Sequence, residues 1–143
     1  MPIATSNYGW FSQTDMENLV GAENIRQWSN PSGFDKQTPT NTTIVQNAIN
    51  YADQLIYYTF RNYGNYTVPL APYNAAVYTV RDWGVKLAVW QLYIARGLRD
   101  DKGENKYNSF RQEAVTEMAR RISEDSLDAS RRYPQSNVPF AVL

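Results

Sequence analysis

Asp100, Asp101 and Lys102 are the titratable side chains whose spacing comes nearest to an acid–base site. A useful acid–base pair needs a cleft that gives its two groups different environments. Adjacent residues do not face each other on a helix, and Gly103 places this cluster in a turn. The cluster is therefore predicted to be solvated rather than catalytic.

The chain contains no histidine and no cysteine. Their absence excludes the Ser-His-Asp triad, the Cys-His dyad, disulfides, and metal ligation by imidazole or thiolate. The sequence also lacks a Gly-rich phosphate loop, a Walker motif and a dinucleotide fingerprint. Chemistry would have to rest on carboxylates, tyrosines or lysines. We therefore predict no enzyme activity, no cofactor and no metal.

Aromatic residues are the feature that sets this chain apart, with eleven tyrosines and four tryptophans. Both residue types are enriched where proteins meet proteins. A structural subunit is therefore favoured over an enzyme. Many of these side chains fall in predicted loops and chain ends: Tyr8, Trp10, Tyr63, Tyr66, Tyr73 and Tyr133.

Two segments are the best candidates for partner contacts. The Pro-rich loop 63–73 carries three tyrosines and is expected at a subunit or partner surface, unless it folds back over its own domain. The tail 126–143 contains Pro134 and Pro139, which exclude a helix, so it is predicted to bind a neighbouring protein in extended form. The alternative is that the tail covers its own core. The candidate contact residues are Tyr63, Tyr66, Tyr73, Arg131, Arg132, Tyr133, Val138, Phe140, Val142 and Leu143.

The segment 74–98 is predicted to be the central helix of the fold. Its apolar residues recur at steps of three and four along two lines, which leave a narrow polar strip around Arg81, Asp82 and Lys86. A helix that is apolar on most of its circumference must be covered from several sides. The three charges also argue against a membrane span. The two apolar lines are Val77, Val80, Trp83, Leu87, Trp90 and Ile94, and Val85, Ala88, Leu92 and Ala95.

The remaining elements complete an all-α domain, a small helical bundle around this central buried helix, with long loops and an extended C-terminal tail. A capping box at Thr14 and Glu17 begins a short helix that stops at Gly21. Thr43 and Gln46 cap a longer helix. The predicted boundaries are an N-terminal arm 1–13, a helical domain 14–124 and a tail 125–143, with further helices at 23–28, 43–62 and 106–123 and a loop at 30–41.

Two assignments within this plan concern which side chains meet solvent. The arm 1–13 either docks on a partner or closes one end of the core, because its rings at Tyr8, Trp10 and Phe11 need cover. The helix 43–62 buries a single apolar stripe. Its opposite face is assigned to solvent: Gln46, Asn47, Asn50, Asp53, Gln54 and Arg61.

Composition agrees with one folded domain, since 43% of residues are hydrophobic and 20% are charged. The formal net charge is zero, so no basic field draws the chain to nucleic acid. The first residues show no basic segment followed by an apolar core, so no signal peptide is predicted.

In these patterns the chain resembles the small helical head-completion proteins of tailed bacteriophages, also called head–tail connectors or adaptors. The similarity lies in the capping-box helix with Ile25, the segment Ile44–Ile56, the loop closing on Tyr66–Leu70, and the pairing of Leu92–Arg96 with the helix that holds Tyr107 and Ala114. It covers roughly residues 8–124. The loop 30–41 is longer than the usual connection of the family, and the tail after Asp125 matches no motif of it.

The resemblance implies a non-enzymatic virion protein, assembled in the host cytoplasm and located in the neck. Such proteins form a ring, typically twelve-fold, beneath the portal. They extend the DNA channel and dock the next tail component, a connector or terminator protein. DNA would pass through without sequence-specific binding, and no membrane is involved. Within this frame the tail 126–143 is expected to bind the portal.

Two other classes stay open. A helical DNA- or partner-binding regulator is conceivable, with a helix-turn-helix at 15–29, although its second segment carries a single arginine. A small-molecule-binding protein or an unrecognised enzyme would be favoured by a deep pocket ringed by tyrosines with a buried carboxylate.

Overall fold

The structure is a computed structural model that describes residues 3–30, 38–63, 76–97 and 106–123. These residues form helices and no strand, apart from one antiparallel bridge between Thr5 and Ser12. The all-α prediction is confirmed. The helices are α1 Gln13–Val20, α2 Ala22–Trp28, α3 Thr42–Tyr63, α4 Ala76–Ala95 and α5 Asn108–Ser123.

Helix α4 lies at the centre, packed against α1, α3 and α5. Its two apolar lines explain this position, because a helix with no broad polar face needs neighbours on several sides. Trp83, Leu87 and Leu92 are fully buried. The polar strip at Arg81, Asp82, Lys86 and Gln91 stays partly or fully exposed.

Three residues of the predicted apolar lines lie nearer the surface than expected. Trp90 and Ile94 are half-buried, and Ala95 is exposed. The indole N–H of Trp90 donates to Asn108 Oδ1 at 2.9 Å, at an exposed position on the edge of α5. This hydrogen bond gives the polar atom of the Trp90 ring a partner at the border of the core.

Helices α3 and α5 bury the stripes that their periodicity predicts. On α3 the buried residues are Val45, Ala48, Ile49, Ala52, Ile56 and Phe60, with Ile44 and Leu55 packed at the margin. On the α5 side they are Tyr107, Ala114, Met118 and Ile122, with Phe110 at the margin.

Both predicted helix caps are wrong, each by two residues. Helix α1 is capped by Ser12, whose backbone N–H donates to the Asp15 carboxylate at 2.9 Å. Glu17 instead accepts from the Gln13 amide at 3.0 Å. Ser12 at the N-cap and Asp15 three residues later form a capping box, the same motif that was predicted for Thr14 and Glu17.

At α3 the cap is Asn41, whose side-chain oxygen accepts from the Ile44 N–H at 3.3 Å. Gln46 is therefore free to make the contact with the arm described below. Gly21, with φ +97°, ends α1 and connects it to α2, as the sequence predicted. A positive φ of this size is favourable mainly for glycine.

Candidate partner-binding surface

The structure describes one of the ten candidate contact residues. Tyr63 is the last residue of α3, and its backbone alone is described. Tyr66, Tyr73, Arg131, Arg132, Tyr133, Val138, Phe140, Val142 and Leu143 lie outside the described residues, as do Asp100, Asp101 and Lys102. Any further candidate for a partner contact within the described residues must therefore come from other positions.

The N-terminal arm, residues 3–12, forms a tight loop that closes on the start of α1. Ser6 N–H donates to Phe11 O, and Gln13 N–H donates to Ala4 O, both at 2.8 Å. Trp10 and Phe11 are 1% and 4% exposed. Of the two interpretations of this segment, burial in its own core is the one observed.

Polar side chains on one face of α3 form hydrogen bonds with the arm, mostly with backbone atoms of the arm. Gln46 contacts both polar backbone atoms of Thr5: its oxygen accepts from the N–H at 3.1 Å, and its amide nitrogen donates to the carbonyl at 2.9 Å. Asp53 accepts from the Ser6 hydroxyl at 2.7 Å and from the Asn7 N–H at 2.8 Å. We call Gln46, Asn50 and Asp53 the arm-binding face of α3.

Asp53 was predicted to face solvent, and that assignment is wrong, since it is 2% exposed. Burial raises the pKa of its carboxyl, while the hydrogen bonds from Ser6 and Asn7 lower it. Both carboxylate oxygens are used to hold the arm. The spacing 46, 50, 53 places three polar residues on one line of the helix, as a solvent-facing line also would, so the spacing alone does not indicate the contact.

Aromatic stacking continues this contact. The rings of Tyr8 and Tyr57 are 5.3 Å apart and nearly parallel, and the rings of Tyr8 and Trp10 are 4.6 Å apart. The Phe11 ring packs against Gly84 of α4, where an added methyl carbon would lie 2.5 Å from its Cε1 atom. The arm therefore contacts α3 through hydrogen bonds and ring stacking. It contacts α4 where Gly84, which has no side chain, leaves room for the Phe11 ring.

A groove of about 340 Å³ between α1 and α4 is the best candidate for a partner surface. Leu19 and Tyr78 line it and are 46% and 70% exposed. Large apolar side chains that stay in water beside each other mark interaction sites more often than isolated ones do. We call this site the α1–α4 groove; it is lined by Asp15, Asn18, Leu19, Tyr78, Arg81, Asp82 and Val85.

Arg81 connects the groove to the arm. Its Nε donates to the Trp10 carbonyl at 3.2 Å, and the same nitrogen lies 3.9 Å from the Asp15 carboxylate. Its guanidinium carbon is 5.2 Å from the centre of the Tyr78 ring. An exposed Tyr78 is thereby held in place by a cation–π contact rather than by burial.

Sequence reasoning did not select Leu19 or Tyr78. The signal for Tyr78 was present, because it lies one turn before Arg81 and Asp82 on the polar strip of α4. An aromatic residue on a solvent-facing strip is exposed by periodicity alone. Leu19 carried no comparable signal, since α1 is too short for its own pattern to assign a second face.

A second groove, of about 430 Å³, lies between α4 and α5. Arg111 covers the Trp90 ring there, with its guanidinium carbon 5.1 Å from the ring centre. Val115 completes its apolar lining. Trp90 and Val115 are half-buried, so this groove lacks the exposed large apolar side chains that line the α1–α4 groove.

Other classes of site leave no trace in the part of the chain that the structure describes. Those residues contain no group of three or more Asp or Glu side chains placed to hold a metal ion. Among the same residues, no helix combines the length and the apolar character needed to cross a bilayer.

Comparison with known proteins gives one match, to a protein family. No curated protein sequence matches the chain. The family model described as bacteriophage Mu, Gp36 matches residues 10–137, which include all five helices and the arm residues Trp10 and Phe11. A match over most of the 143 residues is a match to the whole described fold rather than to one motif. The chain therefore belongs to the bacteriophage Mu Gp36 family, a placement that indicates a virion-associated protein of phage structure or morphogenesis.

Proposed function

We propose that the chain is a head–tail connector subunit that forms a ring beneath the portal, extends the DNA channel and docks the tail. The observation that carries the proposal is the family match over residues 10–137. It agrees with the resemblance to connector proteins that the helix lengths and apolar spacings suggest. The partners are further copies of the chain, the portal protein and a tail-side connector or terminator protein.

The described structure suits such a role physically. A subunit that holds position under a DNA-filled head needs a rigid core, and α4 is covered by α1, α3 and α5. It also needs surface for its neighbours, and the α1–α4 groove presents Leu19 and Tyr78 to solvent. Ring contacts join two different surfaces of each subunit, so additional contact residues outside this groove are expected.

The charge balance fits passage of DNA without binding. Fourteen basic and fourteen acidic residues leave no net field. Affinity for the phosphate backbone depends on Lys and Arg side chains that replace counterions, and this chain has no excess of them over Asp and Glu. A channel protein of this kind would let DNA slide through.

The regulator alternative has less support. Helix α2, which would be the recognition helix, has seven residues and one arginine. Arg26 pairs with Glu23 at 2.6 Å and donates to the Thr38 carbonyl. A guanidinium bound in this way is not available for base contacts, which DNA recognition by such a helix requires.

Native mass spectrometry of the purified chain, alone and with candidate portal protein, tests the proposal. We expect a ring species, with twelve times the 16.5 kDa subunit mass for a twelve-fold ring. Electron microscopy should show closed rings that stack on the portal. A chain that stays monomeric with every portal tried, and that fails to restore heads of a phage lacking it, would contradict the proposal.

A further inference from the structure

We infer that the α1–α4 groove of one copy receives the Arg131–Tyr133 stretch of a second copy. The inference rests on the proposed ring function and names one contact within the ring. The apolar end of the same tail, residues 138–143, would remain available for the portal. The argument combines the exposed apolar side chains of the groove, its charge, and the sequence that follows α5.

The groove has the composition of a contact surface. Tyr78 and Leu19 give it an apolar centre, and Val85, which is 6% exposed, lies at its base. Tyr78, Arg81, Asp82 and Val85 fall at steps of three, one and three, so a single face of α4 forms one wall. Arg81 holds the Tyr78 ring in place, so docking costs little ordering of that side chain.

The charges around the groove leave a surplus of acid. The lining contains two carboxylates, Asp15 and Asp82, and one cation, Arg81. Lys86 is shared between Asp82 at 3.1 Å and Glu113 at 3.4 Å. Arg81 is directed to Asp15 and to the Trp10 carbonyl. Two carboxylates against one cation in the lining, with the nearby Lys86 shared between Asp82 and Glu113, favour an incoming segment with positive charge.

The chain itself carries a segment of that chemistry. Arg131 and Arg132 supply two positive charges, and Tyr133 follows with a ring that can pack beside Tyr78. Guanidinium groups pair with carboxylates through two parallel hydrogen bonds and also stack on aromatic faces, and the groove offers both kinds of partner.

The reach of the tail permits contact with a neighbour. Helix α5 ends at Ser123, eight residues before Arg131. Eight residues span at most about 26–29 Å in an extended chain, which is comparable to the width of a small domain. In a closed ring each copy gives one tail and receives one, so every groove is filled.

Cross-linking through introduced cysteines tests this contact without background, because the chain has no cysteine. Leu19→Cys would be made in one full-length chain and Tyr133→Cys in another. The two proteins would be mixed under ring-forming conditions with portal protein and treated with a mild oxidant. We expect a reducible band at twice the subunit mass that contains one copy of each variant.

Tyr58→Cys is the matched control for Leu19→Cys, because Tyr58 is also a large exposed residue, at 56%, but lies on α3. It should give several-fold less product with Tyr133→Cys. Adding Asp15→Asn and Asp82→Asn to the Leu19→Cys chain should lower the yield several-fold, and so should Arg131→Ala with Arg132→Ala in the other chain. Equal yields from Tyr58 and Leu19, or yields unchanged by the four charge substitutions, would overturn the inference.

A chain carrying both Leu19→Cys and Tyr133→Cys separates the possible occupants. A cross-link within one chain, with none between chains, would mean that the tail covers its own groove and would overturn the inference. Rings that bind the portal without any link from position 19 to position 133 would also overturn it while leaving the proposed function intact. A link between copies that never form rings would retain the contact and contradict the ring function.

Discussion

The arm and the α1–α4 groove invert the usual placement of polar and apolar side chains. Where the arm meets α3, Asp53 is buried, 2% exposed, and both of its oxygens accept hydrogen bonds. In the groove, Tyr78 is 70% exposed although it is an aromatic residue on the central helix. The two regions touch, because Arg81 contacts both the Trp10 carbonyl and the Tyr78 ring.

The two regions differ in whether the unusual side chains contact suitable groups within the same chain. A buried carboxylate is tolerable when donors from the same chain satisfy it, as Ser6 and Asn7 do for Asp53. The exposed apolar pair Leu19 and Tyr78 has no such cover within the described residues, which is why we propose the groove as a contact surface. The arm contact therefore serves folding, and the groove is the region suited to assembly.

The largest effect should come from the core under both regions. Leu87 is fully buried on α4, so Leu87→Ala should lower the free energy of unfolding by about 2–5 kcal/mol. Leu19→Ala makes the same change in the groove, where the side chain is 46% exposed, and should stay within about 0.5 kcal/mol of wild type. Urea denaturation measures both. Equal losses would remove the distinction between core and groove.

The fit of the arm to α4 gives the next largest effect. Gly84→Ala places a carbon 2.5 Å from the Phe11 ring, and overpacking of this kind costs about 1–3 kcal/mol. Phe11→Leu should recover part of that loss when combined with Gly84→Ala, although Phe11→Leu alone destabilises. A double-mutant cycle measures the coupling. If Gly84→Ala stabilises the chain, as alanine does in an open helix, the packing of Phe11 against α4 is not tight.

The polar side of the arm contact should show itself through pH. Burial raises the pKa of Asp53 above its ordinary 3.8, so the folded chain holds this proton more tightly than the unfolded chain does. The contribution of the group to stability is then fully present below pH 3.8 and is lost as pH rises through the raised value. The stability of wild type minus that of Asp53→Asn should fall over this range.

Asp82→Asn is the control for that measurement, because the Asp82 side chain is 55% exposed. This substitution also removes one carboxylate charge, but it leaves the contact between the arm and α3 in place. Urea denaturation at a series of pH values reports both differences. A wild-type minus Asp53→Asn difference that is flat with pH would contradict a raised pKa for the Asp53 carboxyl.

The smallest effect on stability is expected in the groove. Tyr78→Ser changes a side chain that is 70% exposed, so the free energy of unfolding should move by only about 0.5 kcal/mol. Ring formation with portal protein should nevertheless be lost or reduced. Tyr58→Ser, at 56% exposure on α3, is the comparison that should assemble normally. Normal rings from Tyr78→Ser would show that the groove is not an assembly surface.

The core residues could be predicted from the sequence because they are marked by the spacing of apolar residues within one helix. Val80, Trp83 and Leu87 recur at the helical period, and all three are fully buried. The burial of Asp53 could not be predicted in this way. Asp53 lies on one line of α3 with the polar residues Gln46 and Asn50. Nothing in the sequence of this helix shows that residues 3–12 will lie across that line.

The sequence by itself determined the helices, the central place of α4 and the lack of histidine and cysteine chemistry, because periodicity and composition are properties of short stretches. Tertiary structure decided which polar and apolar groups found partners. Ser6 and Asp53 are forty-seven residues apart, and they form a 2.7 Å hydrogen bond only because the arm folds back onto α3. The α1–α4 groove likewise exists only where two helices distant in sequence meet, so the placement of Leu19 beside Tyr78 in one groove follows from packing and not from either helix alone.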